Sequence, residues 1–441
     1  MNQNKQQSYL SSFILLTTLF FLWGFITVLV DSLIPRLREL FTLSYFQAGM
    51  VQFAFFGAYF LLSVPASFIL SKIGYKRGII LGLLTMAMGC LLFYPAASYR
   101  MFGIFIFAYF ILAGGMTILQ VAANPYVAAL GAEEGASSRL NLSQAFNSLG
   151  TAIAPMVGAA FILSDTIKTT AEIEGLDVAA KNVYLASEAA AVQTPFLGLA
   201  LFIVAIAGIF FFAKLPKLIS EEATGTYSEA FQQKNLMFGV LGIFFYVGAE
   251  VAIGSYLVNY FLDMNLVEVI KQNGFMRGIA ESLLNSGLTE NDGKAIVGVF
   301  VTFYWSGAMI GRFIGAYLTK VMKPGTVLGI FAGAAISLIF ISVSTTGLVS
   351  MWSILAVGLF NSIMFPTIFT LALKGLGELK AKASGLLCMA IVGGAIIPPL
   401  FGYFVDGVGF KTALLLVMIC YAYILFFGYR NTRKQKVSIA N

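Results

Sequence analysis

Histidine is absent from this 441-residue sequence, and cysteine is scarce, with only Cys90, Cys388 and Cys420. The missing histidines exclude Ser/His/Asp triads, histidine-ligated zinc and histidine proton relays. Each cysteine lies within an apolar run, so neither a disulfide framework nor a metal cluster is predicted. We therefore expect no enzyme, no cofactor and no resident metal, and carboxyl groups remain as the side chains able to titrate near neutral pH.

Charged residues are also few, at 11% of the chain, whereas 59% of the residues are hydrophobic and the mean hydropathy is +0.88. A soluble fold of this length has no core large enough to bury so much apolar surface, so the sequence predicts an integral membrane protein. The net charge of +7 comes from Lys and Arg in short breaks between apolar runs. That placement indicates membrane topology and not nucleic-acid binding.

The apolar runs are long enough for spanning helices, each of which needs about 20 residues. The first run continues too far, and lacks the cleavage site, for a signal peptide. The sequence predicts twelve spans, at about 10–35, 45–71, 78–98, 101–130, 140–164, 194–213, 236–262, 294–319, 326–346, 350–373, 384–405 and 411–430. We predict an all-α protein with a six-helix bundle over 1–213, a cytoplasmic linker over 214–235 and a second bundle over 236–441.

Lys and Arg concentrate in the loops that are cytoplasmic if both termini are inside, which predicts that orientation. An internal repeat supports the two halves. "LQVAANPYVAAL" (119–130) aligns with "FNSIMFPTIFTL" (360–371), so that Gln120 meets Asn361 and Pro125 meets Pro366. Segments 152–161 and 395–404 match in the same order. The pattern favours duplication into two bundles related about the membrane normal.

Amides and a proline occur inside the fourth span, where Gln120 and Asn124 are i and i+4 and Pro125 follows. Such residues fit best where helices enclose a wet cavity. Because Asn361 occupies the repeated position, the two amides would form facing walls of one central site. The alternative is that Gln120 and Asn361 only cross-link helices.

The fifth span carries a polar stripe in "NLSQAFNSLGT", with Asn141, Gln144, Ser148 and Thr151 on one face and Asn147 on its flank. A stripe of this length on a membrane helix needs water or a ligand. Neutral amides and hydroxyls suit a polyhydroxylated, uncharged solute, whereas a charged substrate would require a fixed Arg or Lys. The pattern therefore favours a neutral sugar.

Two acids, Asp31 and Glu250, lie within spans. Buried carboxyls are costly and usually functional, although Asp31 is near enough to the outer end of its span to be solvated. Arg312, near the inner end of the eighth span, is interpreted as a scaffold residue. With no buried base expected beside Glu250, we predict that it holds an exchangeable proton or a cation such as sodium.

Trp23 and Trp305 lie inside spans, away from the membrane interfaces where indoles usually anchor. The apolar face of a sugar ring stacks on an indole, so either residue is a candidate for lining the site. Packing against protein or lipid is the alternative for both.

Seven segments together carry a resemblance to a known family: "FFLWGFITVLVDSLIPRL", "FQAGMVQFAFFGAYF", "LQVAANPY", "RLNLSQAFNSLG", "YVGAEVAIGSYLVNY", "FPTIFTLALKGLG" and "MAIVGGAIIPP". The chain resembles the fucose:proton symporter family of the major facilitator superfamily, and in particular its bacterial glucose/galactose transporter branch. The resemblance implies alternating access around a midplane sugar site. It also implies a titrating carboxyl at Asp31 and sugar-contacting amides at Gln144 and Asn147.

The chain departs from fucose permeases at three positions. Those permeases carry Glu where this sequence has Gln120, Gln where it has Glu250, and Asn where it has Val28. The fourth-span acid is thus replaced by a seventh-span acid, which leaves the coupling ion open between proton and sodium.

These observations predict a cation symporter that imports a neutral hexose of the glucose/galactose type. The predicted substrate-binding residues are Trp23, Gln120, Asn124, Gln144, Asn147 and Asn361, and the predicted coupling residues are Asp31 and Glu250. L-fucose, mannose and N-acetylglucosamine remain alternative substrates, and proton-coupled efflux or a membrane enzyme or sensor are alternative functions. We expect a monomer in the cytoplasmic (inner) membrane of a bacterium, in contact with membrane lipid and without a nucleic-acid partner.

Overall fold

The computed structural model describes residues 3–40, 45–161, 175–216, 218, 225–288 and 292–440. Within these ranges the regular secondary structure is helical, and no strand occurs. The side chain of Asp31 lies outside the described part, although its backbone is in the first helix.

The chain divides into two compact units. The first contains Met1–Glu133, Phe146–Gln233 and Gly375–Ala390, and the second contains Glu134–Ala145, Lys234–Lys374 and Ile391–Asn441. The main boundary falls within the segment assigned from sequence to the linker. Two short segments are exchanged, because 134–145 packs with the later part of the chain and 375–390 packs with the earlier part.

The first unit is built mainly from long helices. Its helices are α1 (Gln3–Leu40), α2 (Tyr45–Ile73), α3 (Tyr75–Tyr99), α4 (Phe102–Ala129), most of α5 (Ala136–Phe161), α6 (Val178–Phe212), the short α7 (Tyr227–Gln232) and α16 (Lys380–Met389).

The second unit contains the remaining helices and the first turns of α5. They are α8 (Lys234–Asp263), α9 (Leu266–Gln272), α10 (Gly274–Leu284), α11 (Gly293–Gly298), α12 (Val301–Val321), α13 (Pro324–Ser344), α14 (Gly347–Asn361), α15 (Met364–Leu373), α17 (Gly393–Val408) and α18 (Phe410–Ala440).

Eleven stretches of the described residues are long and apolar enough to cross a membrane, and α5, with 26 residues and a polar stripe, is also of spanning length. Three of the eleven each contain two consecutive α-helices, namely 293–321, 347–373 and 377–408. Breaks of this kind are tolerated at membrane depth only where protein or water satisfies the backbone. The break between α14 and α15 directly follows Asn361, a predicted site residue.

Candidate functional site

The first unit holds an amide whose two ends have different surroundings. Gln120 on α4 is half-buried, and its Nε2 donates to the Tyr59 hydroxyl of α2 at 2.8 Å. Its Oε1 is buried and has no hydrogen-bond partner among the described residues. Asn124, one turn later on the same face, is fully buried. Tyr59 therefore fixes the amide and leaves its carbonyl oxygen able to accept a hydrogen bond.

A close crossing of α1 and α5 places Asn147. A Cβ built on Gly24 would collide with the Asn147 backbone carbonyl, and one on Gly150 would collide with the Phe21 carbonyl, so glycine is required at both positions. The Asn147 Nδ2 donates to the Phe20 carbonyl at 2.9 Å. This bond ties the side chain of Asn147 to the backbone of α1.

The two candidate indoles have different environments. Trp23 on α1 is buried and packs edge-on against Phe20, with ring centroids 5.6 Å apart. Trp305 on α12 is half exposed, stands edge-on to Tyr304 at 5.1 Å and lies over Gly254. Sugar stacking on Trp23 stays a prediction, and the packing visible at this residue is aromatic and intraprotein.

The first part of the α5 polar stripe is engaged by protein in the second unit. Asn141 is fully buried, and its Nδ2 donates to Thr367 Oγ1 at 3.1 Å and to the Ser137 carbonyl at 2.8 Å. Ser137 and Thr370 share a hydrogen bond of 2.6 Å between their hydroxyls. The stripe was expected to need water or ligand, but at this end its donor groups join α5 to α15.

The second unit contains an amide arranged like Gln120. Asn361, at the end of α14, is fully buried, and its Nδ2 donates to the Tyr304 hydroxyl at 2.6 Å, with the Tyr421 hydroxyl at 3.4 Å. Its Oδ1 is buried and lacks a hydrogen-bond partner in the described ranges. Gly358, one turn earlier, lets α14 approach the Tyr304 backbone, because a Cβ there would collide with the Tyr304 carbonyl.

Glu250 on α8 lies beside this tyrosine cluster. Its Oε1 is buried without a hydrogen-bond partner among the residues described, and the Tyr246 hydroxyl and the Arg312 guanidinium are its main electrostatic neighbours. The electrostatic influence of Glu250 also reaches Tyr304 and Tyr421. Burial disfavours charge on the carboxyl, whereas Arg312 favours it, so the two effects oppose each other.

Arg312 bears on two expectations, namely that no buried base lies beside Glu250 and that Arg312 itself has a scaffold role. No buried base was expected beside Glu250, but the positive charge of Arg312 on α12 acts electrostatically on that carboxyl. The order of the spans along the sequence does not reveal such an electrostatic interaction between helices. Arg312 also donates to the backbone carbonyls of Ser362 at 3.2 Å and Gln144 at 3.4 Å, which is a scaffold role. The Gln144 side chain itself is buried.

Sequence reasoning missed four tyrosines beside the site residues. Tyr59, Tyr304 and Tyr421 bond the two amides, and Tyr246 is an electrostatic neighbour of Glu250. All four are fully or almost fully buried. Their position in the sequence could have identified them. Tyrosines in membrane proteins concentrate at the membrane interfaces, whereas these four lie inside spans. The described part of the chain has no group of three or more His, Cys, Asp or Glu side chains able to hold a metal ion.

The sequence matches the family model described as Major Facilitator Superfamily over residues 9–390. The chain belongs to the major facilitator superfamily. Within the superfamily it is 47% identical over 428 residues to the glucose/galactose transporter of Brucella abortus biovar 1 (strain 9-941), covering 96% of this chain and 95% of that protein. It is 35% identical to the L-fucose-proton symporter of Escherichia coli (strain K12), covering 96% and 94% of the two chains.

Solved structures agree with this membership of the major facilitator superfamily. The crystal structure of the superfamily transporter FucP in the outward conformation matches with a TM-score of 0.85 and 33% identity, over 96% of this chain and 99% of that one. The major facilitator fold expected from sequence is thereby confirmed, as is the resemblance to the glucose/galactose and fucose transporters.

Proposed function

We propose that this membrane protein is a secondary active transporter that imports a neutral hexose of the glucose/galactose type together with a cation. The similarity to a glucose/galactose transporter supports the substrate class. The observation that carries the proposal is the matched pair of amides, Gln120 and Asn361, at repeat-related positions. In each, a tyrosine accepts from the amide nitrogen, and the buried carbonyl oxygen has no partner among the described residues.

A carbonyl oxygen held in this way suits a sugar hydroxyl. A buried acceptor without a partner costs about 1–3 kcal/mol, and a hydroxyl donor would relieve that cost. Trp23, Asn124, Gln144 and Asn147 complete the proposed substrate set. The charged side chains near Asn361 are those of Glu250 and Arg312. They interact with each other, which favours a solute that is neutral.

Coupling is assigned to Glu250 and Asp31. Arg312 and burial act on Glu250 in opposite directions, which suits a carboxyl that gains and loses a proton during the cycle. The positive charge of Arg312 also disfavours a sodium ion at Glu250, so we favour the proton at this position. The fucose relative is named as a proton symporter, which agrees with this choice.

The bacterial relatives and the positions of Lys and Arg support the cytoplasmic membrane, with both termini inside. The protein is proposed to act as a monomer, without a cofactor, a catalytic function or a nucleic-acid partner. L-fucose, mannose and N-acetylglucosamine are the competing substrates, and each belongs in the panel that tests the proposal.

The substrate test uses purified protein in liposomes and labelled D-glucose, D-galactose, L-fucose, D-mannose and N-acetylglucosamine. We expect counterflow with glucose or galactose, and a strong loss in Gln120→Leu and in Asn361→Leu. Gln193→Leu is the matched control, since Gln193 is bonded to Ser98 in the first unit and lies outside the proposed site. Counterflow of none of the five sugars would refute the substrate class.

The coupling test imposes proton and sodium gradients separately. Glu250→Gln should abolish uphill uptake while retaining part of the exchange, and Glu268→Gln, an exposed acid on α9, should behave like the unsubstituted protein. Full gradient-driven uptake by Glu250→Gln would refute the role of Glu250. Uptake driven by a sodium gradient alone would show that sodium, and not the proton, is the coupling ion.

A further inference from the structure

α10 does not belong to any of the candidate membrane-spanning stretches, yet it carries an exposed apolar face. Phe275, Ile279 and Leu283 are spaced four residues apart, which places them on one side of the helix. Phe275 is 75% exposed and Leu283 is 47% exposed, and Ile279 is partly exposed between them. No protein surface within the described ranges covers this row of large apolar side chains.

The other two faces of α10 are accounted for. Met276 and Ala280 are buried and attach the helix to its unit. Arg277 and Glu281 lie opposite the apolar row and form an ion pair, with Nε and Oε1 2.9 Å apart. α10 therefore has one face toward protein, one charged face suited to water and one apolar face that remains exposed.

The apolar face borders a groove with a volume of about 460 Å³. Phe275, Ile279 and Leu283 form one wall, and Phe303 of α12 forms the other. Phe303 is held in place by Trp352 of α14, with ring centroids 5.1 Å apart. Gly278 also lines the groove, and a Cβ there would meet nothing within 4 Å. The groove thus has far more room than a single water molecule requires.

The groove is continuous with the surface that the protein presents to lipid. Phe303 lies in the spanning stretch Gly293–Val321 and is itself partly exposed, as are Trp305 and Ile310 further along the same helix. The apolar face of α10 is therefore continuous with this lipid-facing surface. It lies on the side of the membrane where α8 ends and α11 begins. An aqueous position would leave this row in water, whereas a position at the bilayer boundary would bury it.

We propose that α10 is an interfacial helix whose groove with Phe303 holds an acyl chain of a bilayer phospholipid. The charged face of α10 points to water and its apolar face points into the hydrocarbon. The occupant is lipid, because the groove opens onto the lipid-facing side of a membrane-spanning helix and its walls are apolar. The inference requires only that the chain spans a bilayer, so it does not depend on the sugar or on the coupling ion.

The test measures the depth of nitroxide labels on opposite faces of α10. Ile279→Cys reports the apolar face, and Glu281→Cys, two residues away on the charged face, is the matched control. Both proteins are labelled and placed in phosphatidylethanolamine/phosphatidylglycerol liposomes, where broadening by oxygen and by a water-soluble nickel complex is compared. The native cysteines are all buried, and the unsubstituted protein gives the background of their labelling.

We expect the label at position 279 to show several-fold lower nickel accessibility and higher oxygen accessibility than the label at position 281. Equal nickel accessibility at the two positions would overturn the proposal. Dipolar broadening between labels at position 279 would also overturn it, because a second copy of the chain would then cover the face. Phe275→Cys provides a second label on the apolar side with little risk to folding, since that side chain is the most exposed of the three.

Discussion

At the scale of single residues, the candidate site depends on tyrosines that orient amides. In the first unit Gln120 is bound by Tyr59, and in the second unit Asn361 is bound by Tyr304. The two pairs join the second to the fourth span and the eighth to the tenth span, which are corresponding spans of the duplicated sequence. Each tyrosine accepts from an amide nitrogen and so determines which end of the amide remains available to a ligand.

Removing the tyrosine hydroxyl should weaken substrate binding. Tyr59→Phe leaves the Gln120 nitrogen without its acceptor and lets the amide rotate, at a cost of about 1–3 kcal/mol. We expect KM for the transported hexose to rise roughly ten-fold, since about 1.4 kcal/mol corresponds to that factor. Initial uptake rates over a range of sugar concentrations measure the effect.

Tyr260→Phe is the matched control for this substitution. Tyr260 is also buried, but its hydroxyl bonds with Ser342 and Ser350 away from the amide pair, so KM should not change. An unchanged KM in Tyr59→Phe, with correctly folded protein, would show that Tyr59 does not orient the substrate-binding amide.

The interaction between Glu250 and Arg312 gives a second prediction at this scale. Arg312→Gln removes the positive charge that acts on the Glu250 carboxyl and leaves its buried oxygen without that compensation, so this variant should be less stable than the unsubstituted protein. Adding Glu250→Gln removes the stranded charge as well. The double variant should therefore unfold at a higher temperature than Arg312→Gln alone, although it still lacks the bonds to Ser362 and Gln144. Thermal midpoints of purified protein test this order, and the reverse order would show that the two charges do not stabilise each other.

At the scale of helices, sequence patterns predicted the spans well and their interruptions poorly. Hydropathy depends on composition, so it gives the approximate limits of a span such as 350–373. It does not detect that this span is divided between α14 and α15, because Ser362 and Ile363 at the break are ordinary residues in composition. Polar residues could be located, but their partners could not, since a partner lies on another helix whose rotation the sequence does not specify.

The crossing of α1 and α5 gives a prediction at the scale of helices. Gly24→Ala forces a methyl group against the Asn147 backbone, where only a helix shift can relieve the collision, and overpacking of this kind costs about 1–3 kcal/mol. We expect a lower thermal midpoint and weaker sugar binding, because Asn147 moves with α5. Thermal unfolding monitored by fluorescence, together with counterflow, measures both effects.

Gly57→Ala on α2 is the control for that crossing. A Cβ at position 57 meets nothing within 4 Å, and alanine is favoured over glycine inside a helix by about 1 kcal/mol. This variant should be as stable as the unsubstituted protein or slightly more stable. If Gly24→Ala behaves in the same way, the close approach of α1 to α5 is not needed for the fold.

At the scale of the whole molecule, duplication was visible in the sequence, but the exchange of segments was not. The repeat predicted two halves divided at the linker, and the main boundary after Gln233 lies in that region. The placement of 134–145 and 375–390 depends on which helices pack against these segments, and hydropathy does not record that packing. In the first unit the exchanged α16 is bound closely, because Ser384 donates to the Val121 carbonyl at 2.8 Å and Gly385 lies against Ser67.

This exchange predicts how the two halves of the chain behave when they are separated. A half comprising 1–233 lacks α16, so the backbone of α4 at Val121 and the surface around Ser67 on α2 lose their cover. A half comprising 234–441 lacks the first turns of α5 and leaves Thr367 and Thr370 without Asn141 and Ser137. Neither half contains a complete compact unit, and each supplies a segment that the other requires.

We therefore expect each half expressed alone to accumulate several-fold less than when both are co-expressed, and sugar uptake to return only with co-expression. Tagged yields and uptake in cells measure this, and stable accumulation of 1–233 alone would contradict it, since α16 would then be dispensable to the first unit.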